Sequence, residues 1–216
     1  MAIGLYLVPL TLRTVTNTEY GIWLTVASFL SWFSFFDIGL GNGLRNKLAE
    51  ALAGNDQQRA REYISTTYAV LTAIALLLTV LFGMVYRYIP WREVFNAPAE
   101  VASDLTILVP AVFLLFMVQF VLQLIITVLL ADQRPAITNL ISLGGTVLTL
   151  GGVWAIQQLH QGSVLTLGVV FMLSPVIVLW CTHLYQYRTT YRNIAPAWRY
   201  VRTHLAASLT SIGGQF

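Results

Sequence analysis

Charge is what this sequence lacks. Only 10% of its residues are Asp, Glu, Lys or Arg while 57% are hydrophobic, against the ~25% charged residues of a soluble domain. That balance excludes a disordered chain and argues against an ordinary soluble one. The shortage is also concentrated: no charged residue stands between Glu62 and Arg87, between Asp104 and Asp132, or between Arg134 and Arg188. Gaps of this size read as membrane spans, because a helix across the bilayer core needs ~20 apolar residues. Cysteine is equally scarce. The lone Cys181 excludes an internal disulfide framework or a thiolate metal cluster. A net charge of +3 would suggest nucleic acid for a soluble protein. Here the basic residues sit in short connectors, where they serve to orient a chain in a membrane, so no nucleic-acid partner is expected.

What is there is a series of apolar runs. They predict an all-α, polytopic membrane protein with spans at about 20 to 44, 64 to 86, 105 to 131, 139 to 157 and 164 to 184, since an open sheet would leave backbone groups unpaired in lipid. Residues 1–12 are as apolar but would reach only ~18 Å as a helix. They predict a sixth span whose beginning is missing, and 205–216 (LAASLTSIGGQF) reads as the start of a further one, so 1–204 is expected to be one transmembrane bundle cut from a longer protein.

Connector charge gives the direction. Arg45, Lys47, Arg59, Arg61, Arg134, Arg188, Arg192, Arg199 and Arg202 fall on one side, and Arg13, Arg87 and Arg92 on the other. The positive-inside rule then puts the N-terminus and the tail in the cytoplasm. In the connectors, Gly54 and Asn55 suit a helix C-cap, Asp56 the N-cap of the next helix, and Asp104 the cap of the fourth span. Trp91 belongs to a short interfacial segment.

Asp37, in FFDIGLGNGLRNK (35–47), is the main candidate for chemistry. A carboxylate inside a span costs ~2.5 to 3.5 kcal/mol on insertion scales and should face a cavity or a partner. Arg45 follows roughly two turns later, and Gly39, Asn42 and the glycines at 41 and 43 weaken the helix between them. One reading is a bendable pathway wall, with Asp37 exchanging a proton or Na⁺ and Arg45, with Arg13 weaker, meeting an anionic head group. The other is glycine packing with topology anchors. Gln119, Gln123 and Thr127 recur every four residues, and Asn139, Ser142, Thr146 and Thr149 form a second stripe. Such stripes line water or stitch helices together, the latter being favoured here with Gly144, Gly145, Gly151 and Gly152 beside them. Pro110 and Pro175 should kink their spans. His160, His183 and His204 show no catalytic or metal-binding spacing, so no enzyme is expected and no cofactor beyond a coupling ion.

The run TNTEYGIWLTVASFLSWFSFFDIGLGNGLRNKLAEALAGNDQQRAREYIS (16–65) resembles the second span and cytoplasmic hairpin of the polysaccharide and O-antigen flippases, the polysaccharide-transport branch of the multidrug/oligosaccharidyl-lipid/polysaccharide exporter superfamily. The resemblance is carried by Tyr20 and Gly21, by Asp37, Ile38, Gly39 and Leu40, by Ala49, Glu50, Gly54, Asn55 and Asp56, and by the Gln-Arg turn at Gln133 and Arg134. It implies one half of a two-bundle transporter of the bacterial inner membrane. Such a transporter would flip a polyisoprenyl-pyrophosphate-linked oligosaccharide by alternating access, with a polysaccharide polymerase as a candidate partner. An exporter of small amphipathic compounds, a non-transporting scaffold and a membrane-embedded transferase are the alternatives.

Overall fold

A computed structural model of the chain describes residues 2–33, 35–160 and 162–197, with the backbone alone described for 2–5, 32–33 and 35–40. Every regular element among them is helical. In chain order these are α1 (Ala2–Thr14), α2 (Asn17–Phe33), α3 (Phe35–Ala53), α4 (Gln57–Tyr86), α5 (Trp91–Val94), α6 (Ala102–Leu122), α7 (Leu124–Ala131), α8 (Pro135–Gln158) and α9 (Val164–Arg188), with 3₁₀ turns at Ala99–Val101 and Arg192–Ile194.

Among the described residues, four stretches are long and apolar enough to cross a membrane: Gln57–Tyr86, Ala99–Ala131, Pro135–Gln158 and Val164–Arg188. They match four of the expected spans. Over the stretch expected as a span at 20 to 44, the described residues are helical as α2 and α3. The 205–216 segment lies outside the described residues.

Local chemistry sets the boundaries. A reciprocal capping box opens α2: the Thr16 N–H donates to Glu19 Oε2 at 2.9 Å and the Glu19 N–H to Thr16 Oγ1 at 3.3 Å. Ser163 and Thr166 exchange the equivalent bonds before α9, at 3.0 and 3.2 Å. The end of α3 is a Schellman turn in which the Asp56 N–H reaches the Ala51 carbonyl at 2.9 Å and the Asn55 N–H the Leu52 carbonyl at 3.1 Å. Asn55 carries the left-handed conformation, φ 53°, and Gly54 does not. Asp56 then caps α4, with Oδ1 accepting from the Arg59 N–H at 3.0 Å. Asp104, expected as a cap, lies within the first turn of α6 because the 3₁₀ turn at Ala99–Val101 moves the helix start upstream.

The chain divides into two compact units, the first comprising Met1–Phe33, Leu78–Gln119 and Ser142–Val178, the second Ser34–Leu77, Phe120–Ile141 and Leu179–Phe216. In the first, the absence of a side chain at Gly168 lets α9 close on α6 and α2: a β-carbon there would lie 2.5 Å from Leu108 Cδ1 and 3.1 Å from the Trp23 ring. Gly152 does the same for α8 and α9, a β-carbon there lying 2.6 Å from Val170 Cγ1, whereas at Gly145 it would make ordinary contact with Pro175 at 3.7 Å and Gly151 faces open space. The Tyr86 hydroxyl donates to the Thr106 carbonyl, the acceptor that Pro110, lacking an N–H, leaves unused four residues on. The Phe82 and Phe113 rings stack at 4.0 Å, and the buried Trp91 donates Nε1–H to the Tyr86 carbonyl at 3.1 Å.

In the second unit α3 packs on α7. Leu44 and Leu48 are fully buried, as are Ile125, Val128 and Leu129. In lipid such packing holds through close van der Waals contact rather than through water expulsion.

Candidate functional site

In the second unit, a run of polar residues inside an apolar helix is sealed from solvent. Ser65, Thr66, Thr67 and Tyr68 on α4 are all buried, and Gln186, Tyr187 and Tyr191 at the end of α9 and just beyond face the same fate. His183 and Tyr187 stand one turn apart on one face of α9, and Tyr191 follows just past the helix end. That face meets Tyr68: the Tyr187 hydroxyl donates to the Tyr68 hydroxyl at 3.4 Å, and the His183 ring stands edge-on to Tyr68 at 5.6 Å and to Tyr187 at 4.8 Å.

The row continues into charge. The Tyr191 hydroxyl donates to Asp132 Oδ2 at 2.7 Å, and Arg134 Nε reaches the same oxygen at 2.7 Å. Asp132 and Arg134 flank Gln133, which takes the left-handed position (φ 56°) of a second Schellman turn closed by the Arg134 N–H on the Leu129 carbonyl at 2.9 Å. Burial first, then the adjacent carboxylate, raise the Tyr191 phenol above the ordinary tyrosine value. After α9 the chain doubles back over α4. Arg61 Nε donates to the Ala195 carbonyl and the Ala197 N–H to Ser65 Oγ, both at 3.0 Å.

Two buried acceptors in this unit, Thr66 Oγ1 and Gln186 Oε1, have no hydrogen-bond partner among the described residues. Such atoms are rare in native proteins. Two open cavities adjoin the connectors. One of about 190 Å³ is lined by the α3–α4 turn, Arg134, Tyr191 and Asn193, and one of about 400 Å³ by Lys47, Glu50, Asp56, Arg59 and Tyr63. Among the described residues no cluster of His, Cys, Asp and Glu is placed to hold a metal ion.

The residues expected from sequence are more scattered. Asp37 falls on α3, and its side chain lies outside the described residues. Asn42 and Arg45, further along α3, are exposed, and Arg45 lines neither cavity. The glycine-rich segment between them stays helical. Arg13 is exposed in the last turn of α1, in the first unit. Gln119, also in that unit, is half-buried with its Oε1 buried and unpartnered. Gln123, in the second unit, is exposed at the one-residue interruption between α6 and α7, where its carbonyl accepts from the Ile126 N–H at 2.9 Å. The stripe from Gln119 to Thr127 is therefore not one uniform face. On α8, Thr146 and Thr149 bond back to the carbonyls of Ser142 and Gly145 at 2.9 Å, which satisfies them within their own helix rather than across helices.

Sequence reasoning passed over Tyr68, Tyr187, Tyr191 and Asp132. The signals were present: STTY at 65–68 interrupts an apolar run, and His183, Tyr187 and Tyr191 keep helical spacing. Comparison with protein-family models, with curated proteins and with solved structures returns no match.

Proposed function

We propose that this chain is half of an inner-membrane transporter that flips a polyisoprenyl-pyrophosphate-linked oligosaccharide for surface polysaccharide synthesis. About six spans would form the bundle, α1 and the α2–α3 stretch joining the four long apolar helices. The α3–α4 turn, the Arg134 turn and the tail would face the cytoplasm, and the connectors at Trp91 and His160 the outside.

The observation that carries this reading is a pair of cations on α3. Arg45 is exposed and Lys47 half-exposed beside the larger cavity, and neither makes an ion pair among the described residues. They directly follow the Asp37–Leu40 segment on which the family resemblance rests. A pyrophosphate head group needs such uncommitted donors at the membrane boundary, and Arg offers them in a planar pair. Asp37 in the same helix is the proposed site of H⁺ or Na⁺ exchange, a carboxylate within a membrane span being able to change charge near neutral pH.

Deleting the gene in its native host tests the reading. Loss of surface polysaccharide with build-up of the lipid-linked oligosaccharide supports flipping. Normal polysaccharide with increased sensitivity to small amphipathic compounds would favour the exporter instead, and loss of the lipid-linked sugar itself a transferase.

A further inference from the structure

We propose that residues Tyr191–Ala197 are a latch that ties the start of α4 and the α7–α8 turn to the end of α9, and that its release is the step that lets this end of the second unit open. The strap is held at three places by three different chemistries. Tyr191, 4% exposed, donates to Asp132 in the α7–α8 turn. Ile194, 5% exposed, is buried as a plug. Ala195 and Ala197 bond through their backbone to Arg61 and Ser65 on successive turns of α4.

These ties are strong enough to hold and few enough to undo together. None is a covalent or fully buried ionic lock: the Arg134 and Asp132 side chains remain 45% and 27% exposed, so water can compete for them. The two helices the strap joins also carry the unpartnered Thr66 and Gln186 oxygens, the first one residue past Ser65 and the second in the last turn of α9. A closed state that leaves two buried acceptors unpaired gives up free energy that an open, wetted state recovers. The strap also walls the open 190 Å³ cavity through Tyr191, Asn193 and Ile194.

Opening as a gate rests on the transport reading; the tie itself does not. The first test is hydrogen exchange on the full protein in nanodiscs. Tyr191→Phe keeps the ring and removes the bond to Asp132, and Ser65→Ala removes the bond to Ala197. In both, amides at 57–68 and 129–136 should exchange faster, about tenfold for Tyr191→Phe, whose bond is to a carboxylate, and about fivefold for Ser65→Ala, whose bond is neutral. Acceleration confined to the substituted residue would overturn the latch.

The second test joins Ser65→Cys to Ala197→Cys in a Cys181→Ser background. Oxidation should abolish movement of a polyisoprenyl-pyrophosphate oligosaccharide in proteoliposomes and reduction restore it at least tenfold. Equal movement oxidised and reduced would overturn the gate. No movement in either form, with the natural chain also inactive, would overturn the transport reading and the gate with it, while the exchange result still decides whether the strap ties the three elements.

Discussion

Tyr191 shows how one hydroxyl can join two parts of a chain 59 residues apart in sequence. Its phenol is raised by burial and by the Asp132 carboxylate. An acid whose folded pKa is raised is stabilised in its protonated form. The contribution is therefore complete below the ordinary value of about 10 and is lost as pH climbs through the folded value. Thermal unfolding in nanodiscs should fall more steeply above pH ~10 for the natural chain than for Tyr191→Phe, and parallel curves would refute the assignment. At neutral pH the same substitution should lower stability by about 1 kcal/mol, the bond being partly open to solvent. Asp56→Ala should cost a similar amount, about 1 kcal/mol, through loss of the α4 cap, measurable as a lower midpoint of unfolding.

Among the elements, close helix packing is decided by where a side chain is missing. Gly168 is packed against Leu108 and Trp23, while Gly151 meets nothing within 4 Å. Gly168→Leu should therefore destabilise the first unit by about 1 to 3 kcal/mol and reduce the monodisperse fraction in detergent. Gly151→Leu should leave it unchanged; equal effects would mean that the packing is not set there. The same contrast explains what was legible in the sequence. The four long spans follow from uncharged length alone and were readable to within a few residues at most ends. Where α4 starts, at Gln57 rather than 64, was not legible from hydropathy, because its first turns carry Arg59, Arg61 and Glu62 and are held by a cap. The polar cluster stayed hidden for another reason. Tyr68 and Tyr187 are ordinary span-end aromatics until the fold brings α4 and α9 together, and no local spacing encodes that meeting.

For the whole molecule, the proposed topology rests on the sequence's count of basic residues, nine assigned to one side and three to the other. Cysteine labelling at Asn55 and His160 in a Cys181→Ser background should therefore proceed from opposite faces of the membrane, and equal labelling from one face would contradict the proposed topology. Within the transport reading, Asp37→Asn should reduce flipping at least tenfold at normal membrane abundance, and Arg45→Lys, which keeps charge but loses the planar fork, should reduce it less than Arg45→Gln.

The most direct test of the account is reconstitution of the full protein into proteoliposomes with a polyisoprenyl-pyrophosphate oligosaccharide, followed by a membrane-impermeant reagent that reads the sugar on one leaflet. Protein-dependent exchange of the labelled lipid between leaflets, faster than in empty vesicles and slowed by Asp37→Asn, is the predicted result. Exchange no faster than in empty vesicles, with the protein correctly inserted and a proton or sodium gradient applied, would contradict it.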